Sequence, residues 1–195
     1  MKLSYTLSEE DFLQHQLYLA SNSQRIRKKE QRAWKLISFI FSLIGVILYL
    51  TDTAFPLGPF AILFGFITVL FYPLYVKKHY KDHYKNFIQE NYQNRIGFPT
   101  EVALHEAFLF MKDKSGEGKI DLSELEYLIE IQQNFFLRLK SGHSLIFPKA
   151  QIQDLPAFRK SFQDIDVQVE PDLDWERKFL GLPNLFTKAS PKIPV

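Results

Sequence analysis

The run from Asp113 to Glu124 has the residue types and spacing of a calcium-binding loop. Oxygen-bearing side chains fall at loop positions 1, 3, 5, 9 and 12, and these are Asp113, Ser115, Glu117, Asp121 and Glu124. Gly118 stands where an EF-hand loop turns sharply, and the apolar Ile120 follows two residues later. Calcium prefers carboxylate and carbonyl oxygens as ligands. The run therefore raises one hypothesis of function, a calcium-responsive regulator.

Three features of the same run oppose a calcium site. Ser115 and Glu117 stand where the EF-hand pattern has Asp or Asn. EF-hands normally pair, and the sequence holds no second loop of this kind. The segment that would form the exiting helix continues into residues 129–147, whose β-branched and aromatic alternation is typical of a hairpin. We therefore expect residues 112–119 to be a polar, glycine-rich connection between two strands, and we predict no metal ligands.

The histidines do not form a recognisable catalytic or metal-binding pattern. They are scattered along the chain, at His15, His79, His83, His105 and His143. His79 and His83 share one helical face, as zinc ligands can, but the glutamate of the metalloprotease motif does not lie between them. His143 follows Gly142 in a short turn, where its neighbours suit turn formation better than nucleophilic catalysis. The histidines therefore predict neither a zinc site nor a nucleophile.

The remaining polar residues give no sign of enzymatic chemistry. There is no cysteine, which excludes disulfides, thiolate nucleophiles and cysteine-ligated metals. Neither a phosphate-binding loop nor a Gly-x-Ser-x-Gly motif occurs. Glu124, Glu126 and Glu130 lie in a predicted strand, where we expect them to be solvated, although paired carboxylates can serve acid–base chemistry. The sequence predicts a non-enzymatic protein without catalytic residues, cofactor-binding residues or a cofactor.

Two apolar stretches dominate the first half of the chain. Between Leu36 and Val76 there are 41 residues and one charge, Asp52. The stretches 34–50 and 54–76 are each close to the roughly 20 helical residues that cross a bilayer core. They are joined by residues 51–53, so they must run antiparallel. Residues 34–76 are predicted to form a two-helix transmembrane hairpin.

Charges beside the two stretches predict the orientation of the hairpin. The flanking cations are Arg25, Arg27, Lys28, Lys29, Arg32 and Lys35 before it and Lys77, Lys78, Lys81 and Lys85 after it. Because the connection between the stretches carries no Lys or Arg, the positive-inside rule places both termini in the cytoplasm. Residues 1–100 carry 12 Lys/Arg against 7 Asp/Glu, which favours an anionic membrane surface over nucleic acid. We expect a multi-pass protein with the lipid bilayer as one partner.

The polar segments predict a small cytosolic domain. Residues 1–33 read as a strand, Lys2–Thr6, and an amphipathic, basic helix, in which Ser8 and Asp11 form a capping box. Residues 77–98 have the spacing of a juxtamembrane amphipathic helix.

Residues 99–165 are predicted to fold as an antiparallel β-sheet. One of its strands, at 135–139, is expected to be half-buried. A helix closes the sheet, with Asp154 at its N-cap. The fold class is therefore α+β, a membrane hairpin with a small antiparallel sheet domain. The acidic, proline-rich tail, 166–195, is expected to dock on the sheet, the membrane or a partner.

These features together resemble the YcxB-like family of bacterial membrane proteins. The resemblance rests on the opening YTLSEEDFLQHQLYLASNS, the two apolar stretches, and the run KIDLSELEYLIEIQQNFFLRLKSGHSLIFPKAQI, which has an "I.PK" ending at Lys149. It covers residues 1–163. The resemblance implies a pleckstrin-homology-like C-terminal domain at the inner face of a bacterial cytoplasmic membrane. It implies no reaction. An unidentified protein partner or self-association is expected, and an accessory subunit of a membrane enzyme or transport complex stays open as an alternative function.

Overall fold

The computed structural model describes residues 1–50 and 57–176 and divides into two units. Unit 1 comprises Met1–Leu19 and His79–Trp175, and unit 2 comprises Ala20–Lys78 and Glu176. The predicted connection at 51–53 and the end of the tail, 177–195, lie outside the described residues.

The described residues form an α+β fold with two four-stranded sheets. The helices are α1 (Glu9–Asn22), α2 (Gln24–Leu50), α3 (Leu57–Asn91) and α4 (Leu155–Gln163). The strands are β1 (Lys2–Thr6), β2 (Pro99–Leu104), β3 (Phe108–Asp113), β4 (Gly116–Asp121), β5 (Leu125–Glu130), β6 (Asn134–Leu139), β7 (Ser144–Pro148) and β8 (Gln168–Pro171). The first sheet has the order β1-β2-β3-β4 and the second β7-β6-β5-β8.

The first sheet joins the two sequence segments of unit 1. β1 pairs antiparallel with β2, so that Leu3 faces Val102 and Tyr5 faces Thr100. The predicted strand Lys2–Thr6 is confirmed, and so is the capping box, because the Ser8 N–H donates to Asp11 Oδ2 over 2.9 Å. The chain therefore leaves unit 1 through α1 and returns to it through α3.

The main core of unit 1 contains residues from both sheets and α4. The buried members are Tyr5, Val102, Leu109, Leu125, Leu128, Phe135, Leu137, Leu139, Phe147, Phe158, Phe162 and Val167. Phe158 of α4 lies 5.0 Å from the ring of Phe135 and 5.3 Å from that of Phe147. The predicted N-cap is also confirmed, since the Ala157 N–H donates to Asp154 Oδ1 over 2.9 Å. Apolar spacing and one capping residue thus position the closing helix.

β6 is buried on both faces, and the prediction of a half-buried strand was wrong. Phe135 points into the main core, while Phe136 is fully buried against α1. The ring of Phe136 lies 5.0 Å from His15 and 5.4 Å from Tyr18. The sequence of the strand does not contain this information, because the covering helix precedes it by more than a hundred residues.

Two segments differ from the predicted boundaries. The expected juxtamembrane helix at 77–98 is not a separate element, because α3 continues unbroken from Leu57 to Asn91. The expected tail begins inside the fold: β8 pairs in parallel with β5, and Trp175 is buried beside Tyr18 at a ring distance of 5.9 Å. Docking of the tail on the sheet is therefore seen for residues 168–175.

Unit 2 consists mainly of α2 and the first part of α3, which contact each other. The ring of Phe41 lies 5.1 Å from that of Phe64, and a Cβ added to Gly65 would lie 3.2 Å from Cβ of Phe41. Farther along, the Tyr72 hydroxyl donates to Glu30 over 3.0 Å. Because later residues of α3 meet earlier residues of α2, the two helices run antiparallel.

Candidate functional site

The most unusual surface of the molecule is the apolar surface of α2 and α3 in unit 2. Sixteen large apolar side chains there are more than two-fifths exposed, among them Phe39 at 64% and Phe60 at 63%. They are Leu36, Phe39, Ile40, Leu43, Ile44, Val46, Ile47, Leu50, Phe60, Ile62, Leu63, Phe64, Phe66, Ile67, Phe71 and Leu74. Contiguous apolar surface on this scale is typical of membrane or protein contact.

One helix of the described residues is long and apolar enough to cross a membrane. The segment Gln24–Leu48 of α2 meets this criterion by length and composition, and few of its side chains are buried. A shorter apolar segment, Pro59–Thr68, lies in α3. Five cations of α2 are exposed before its apolar part: Arg25, Lys28, Lys29, Arg32 and Lys35.

Two hydroxyl groups in these helices, those of Ser42 and Thr68, bond within their own helix. Ser42 Oγ donates to the Ser38 carbonyl, and Thr68 Oγ1 donates to the Phe64 carbonyl, each over 2.9 Å. A hydroxyl that bonds to the carbonyl four residues earlier needs no water or other partner. Such an arrangement suits a surrounding that offers no hydrogen bonds, such as lipid.

The most strongly perturbed carboxylate of unit 1 is Glu130, at the end of β5. Its side chain is 11% exposed and contacts two cations. Oε1 accepts from Lys149 Nζ and from Arg159, each over 2.7 Å, and Oε2 accepts from Arg159 Nε over 2.8 Å. Both cations also lie over the ring of Phe135, at 4.9 and 5.7 Å from its centre. The expectation that Glu130 is solvated was therefore wrong, whereas Glu124 and Glu126 are exposed.

The two cations hold the pKa of Glu130 far below its ordinary value. The hydrogen bonds from Arg159 lower the pKa most, and Lys149 adds to them against the opposing effect of burial, so that the pKa falls to about 2. A general base or acid needs a pKa near the working pH. Glu130 stays ionised throughout the neutral range, so the cluster fits a structural role that ties β5 to α4 and to the end of β7.

The five residues of the calcium hypothesis do not converge. Residues 108–113 and 116–121 are the two strands β3 and β4, not a helix and a loop. Asp113 faces Gly116 at the turn, whereas Asp121 faces Phe108 at the far end of the hairpin, about 17 Å away at the usual rise per strand residue. The Asp113 carboxylate accepts from the Ser115 N–H over 2.7 Å instead. In residues 1–50 and 57–176, no group of three or more His, Asp or Glu is placed to hold a metal ion.

The remaining ligands of that hypothesis and the histidines are also dispersed. Glu117 lies 3.9 Å from Lys112 in an exposed ion pair, and Ser115 accepts from Arg95 over 3.0 Å. His79 and His83 are exposed. His15 is different, because burial against Phe136, helped by the nearby charge of Arg138, lowers its pKa to about 4. His15 is therefore a half-buried residue that is neutral at physiological pH.

Unit 1 contains two open grooves. A groove of about 670 Å³ lies between the start of α1 and the end of β7, and its lining includes Leu7, Asp11, Gln133, Lys149 and Gln151. A second groove of about 320 Å³ lies between β1 and α4. The sequence pointed to neither, because each is formed by segments far apart in the chain.

No family model, curated protein or solved structure matches this chain. The resemblance to the YcxB-like family stays a prediction from the residues that carry it.

Proposed function

We propose that the chain is a multi-pass protein of the bacterial cytoplasmic membrane that anchors a pleckstrin-homology-like interaction domain at the inner face. Unit 2 supplies the anchor and unit 1 the domain. The protein would act by binding a partner, without catalysis of its own. This role agrees with the resemblance to the YcxB-like family.

The observation that carries the proposal is the pairing of β1 with β2. β1 precedes α2 and β2 follows α3, yet both are strands of one sheet in unit 1. A folded sheet lies on one side of a membrane. If α2 crosses the bilayer, α3 must cross it in return, which supports two spans instead of one.

The distribution of Lys and Arg supports a position of unit 1 at the inner face of the membrane. The exposed cations at the start of α2 and Lys78 beyond the apolar part of α3 stand at the ends of the helices that lead to unit 1. Such ends stay in the cytoplasm under the positive-inside rule. The connection between the helices carries Asp52 and no cation.

The lack of cysteine makes a labelling experiment straightforward. Single cysteines are introduced as Asp52→Cys, Glu10→Cys and Lys114→Cys, and intact cells are treated with a membrane-impermeant maleimide. We expect Asp52→Cys to react from outside, and the other two to react only after lysis. Reaction of Glu10→Cys or Lys114→Cys in intact cells would contradict the orientation, and release of the chain by alkaline carbonate would contradict the anchor.

A further inference from the structure

Among the described residues, β1 is an edge strand of the first sheet and pairs with β2 alone. The Leu104 N–H donates to the Met1 carbonyl over 2.8 Å, so the alternation of an antiparallel pair directs Leu3 and Tyr5 toward β2 as well. The N–H and C=O groups of Lys2, Ser4 and Thr6 then point away from β2. In the part of the chain that the structure describes, no partner is found for these groups of Lys2 and Ser4.

A side-chain amide already occupies the third position on this edge. The Thr6 N–H donates to Gln151 Oε1 over 2.9 Å, and Gln151 Nε2 donates to the Thr6 carbonyl over 2.7 Å. The amide of Gln151 makes the two hydrogen bonds that the backbone of a neighbouring strand would make. The edge of β1 therefore accepts an amide group at Thr6 and leaves the same positions open at Lys2 and Ser4.

A groove of about 320 Å³ runs along the open part of this edge. Its lining includes Lys2, Leu3, Ser4, Ile152, Ala157 and Phe158. Leu3 points to the core side of the sheet, together with the apolar residues of α4, whereas Lys2 and Ser4 point to the exposed side. A strand added to β1 would thus place alternate side chains in an apolar and a polar surrounding.

We propose that the edge of β1 binds an extended peptide segment of a partner protein, which adds to the first sheet in the groove beside α4. The segment would carry apolar side chains at alternate positions, and main-chain hydrogen bonds to Lys2 and Ser4 would hold it. A free segment fits better than a second copy of the chain. If β1 paired antiparallel with β1 of a second copy, a two-fold axis would relate the two copies. The α4 helices of both copies would then lie on the same face of the joined sheet, beside the same pair of strands.

This inference rests on the proposed function, since it assigns the surface through which the anchored domain binds its partner. The test uses the full chain in lipid nanodiscs and a phage-displayed library of random eight-residue peptides. A synthetic copy of the most enriched peptide is then titrated against three variants. Its outcome is independent of the cysteine labelling, so failure of the peptide site leaves the membrane anchor standing.

Ser4→Pro is the decisive variant. Proline removes the outward N–H of an edge strand without removing a hydrogen bond to β2. Lys119→Pro is the matched control, because the same alternation directs the Lys119 N–H away from β3 at the opposite edge of the sheet. We expect peptide binding to weaken at least tenfold in Ser4→Pro and to change less than twofold in Lys119→Pro.

Ala157→Trp tests the same binding site without a change in β1, in case Ser4→Pro does not fold. Ala157 is exposed on α4 and lines the groove, so a bulky side chain there would obstruct the peptide without touching β1. We expect at least a tenfold loss for this variant also. The proposal is wrong if no peptide is enriched over empty nanodiscs, or if binding survives Ala157→Trp. A dimer that Ser4→Pro separates would instead make a second copy the occupant and overturn the proposal.

Discussion

Unit 1 buries large apolar side chains in a core, whereas α2 and α3 of unit 2 expose many of them. In unit 1, phenylalanines such as Phe135 and Phe147 are fully buried. In unit 2, Phe60 and Phe66 are more than three-fifths exposed. Both units hold many apolar residues, but those between Leu36 and Val76 follow one another with a single charge, Asp52. The pattern also differs: alternation and helical spacing bury one face in unit 1, whereas the apolar parts of α2 and α3 expose large apolar side chains.

Some polar groups also differ between the two units. In unit 1, a buried carboxylate binds two cations that come from elements farther along the chain. In unit 2, the hydroxyls of Ser42 and Thr68 bond within their own helices. A fold in water can bring distant polar partners together. Under the proposed function, the Ser42 and Thr68 hydroxyls lie in lipid, where bonds within the helix satisfy them. The comparison therefore predicts that equivalent substitutions have unequal effects in the two units.

Truncation of a phenylalanine should show the largest difference. Phe147 contacts Tyr5 and Phe158 in the core of unit 1, so Phe147→Ala should lower the free energy of unfolding of unit 1 by about 3–5 kcal/mol. Phe66→Ala should change it by less than about 0.5 kcal/mol. The measurement is denaturant unfolding in detergent, followed by Trp175 fluorescence in a Trp34→Phe background, since Trp34 and Trp175 are the two tryptophans of the chain. Equal losses in both variants would contradict the assignment of an inward and an outward apolar surface.

Removal of the Glu130 charge should give the next largest effect. The pKa of Glu130 falls from 4.5 to about 2 on folding, which corresponds to about 3 kcal/mol of stability at neutral pH. Because the folded pKa is the lower one, this stability is present above pH 4.5 and is lost as the pH falls toward 2. Glu130→Gln should therefore destabilise unit 1 by about 3 kcal/mol at pH 7.

The pH dependence separates the charge from the shape of the side chain. The difference in free energy of unfolding between the wild type and Glu130→Gln should shrink as the pH falls below 4.5, because the protonated acid resembles the amide. Glu126→Gln is the matched control on the same strand, and its exposed position predicts a change of less than about 0.5 kcal/mol at pH 7. A difference that stays constant down to pH 2 would assign the loss to packing and not to charge.

The sequence predicted the features of unit 1 that depend on neighbouring residues. β1, the Ser8–Asp11 capping box and the Asp154 cap are all defined within a few positions of the chain. α4 was recognisable because its apolar residues recur at helical spacing after that cap.

The features that were missed depend on distant partners. Glu130 reads as a solvated strand residue until Lys149 and Arg159 are brought to it from 19 and 29 residues farther along. Phe136 reads as the solvent side of a strand until α1 covers it. The unpaired edge of β1 could not be found from sequence either, because a strand has an open edge only in relation to the sheet that it joins. The candidate binding surface could therefore be identified only from the folded structure.

Loss of a single cap should give the smallest measurable difference between the units. The Asp154 carboxylate accepts from the Ala157 N–H, a donor that the first turn of α4 leaves without a partner within the helix. Asp154→Ala should therefore lower the free energy of unfolding of unit 1 by about 1 kcal/mol, measured by denaturant unfolding followed by Trp175 fluorescence. Thr68→Val in α3 is the matched control, because its hydroxyl bonds to a carbonyl that already belongs to the helical ladder. Valine keeps the shape of threonine, so the free energy of unfolding of unit 2 should not fall. A loss in Thr68→Val as large as that in Asp154→Ala would mean that the Thr68 hydroxyl stabilises more than its own helix, and would contradict its assignment as a local hydrogen bond.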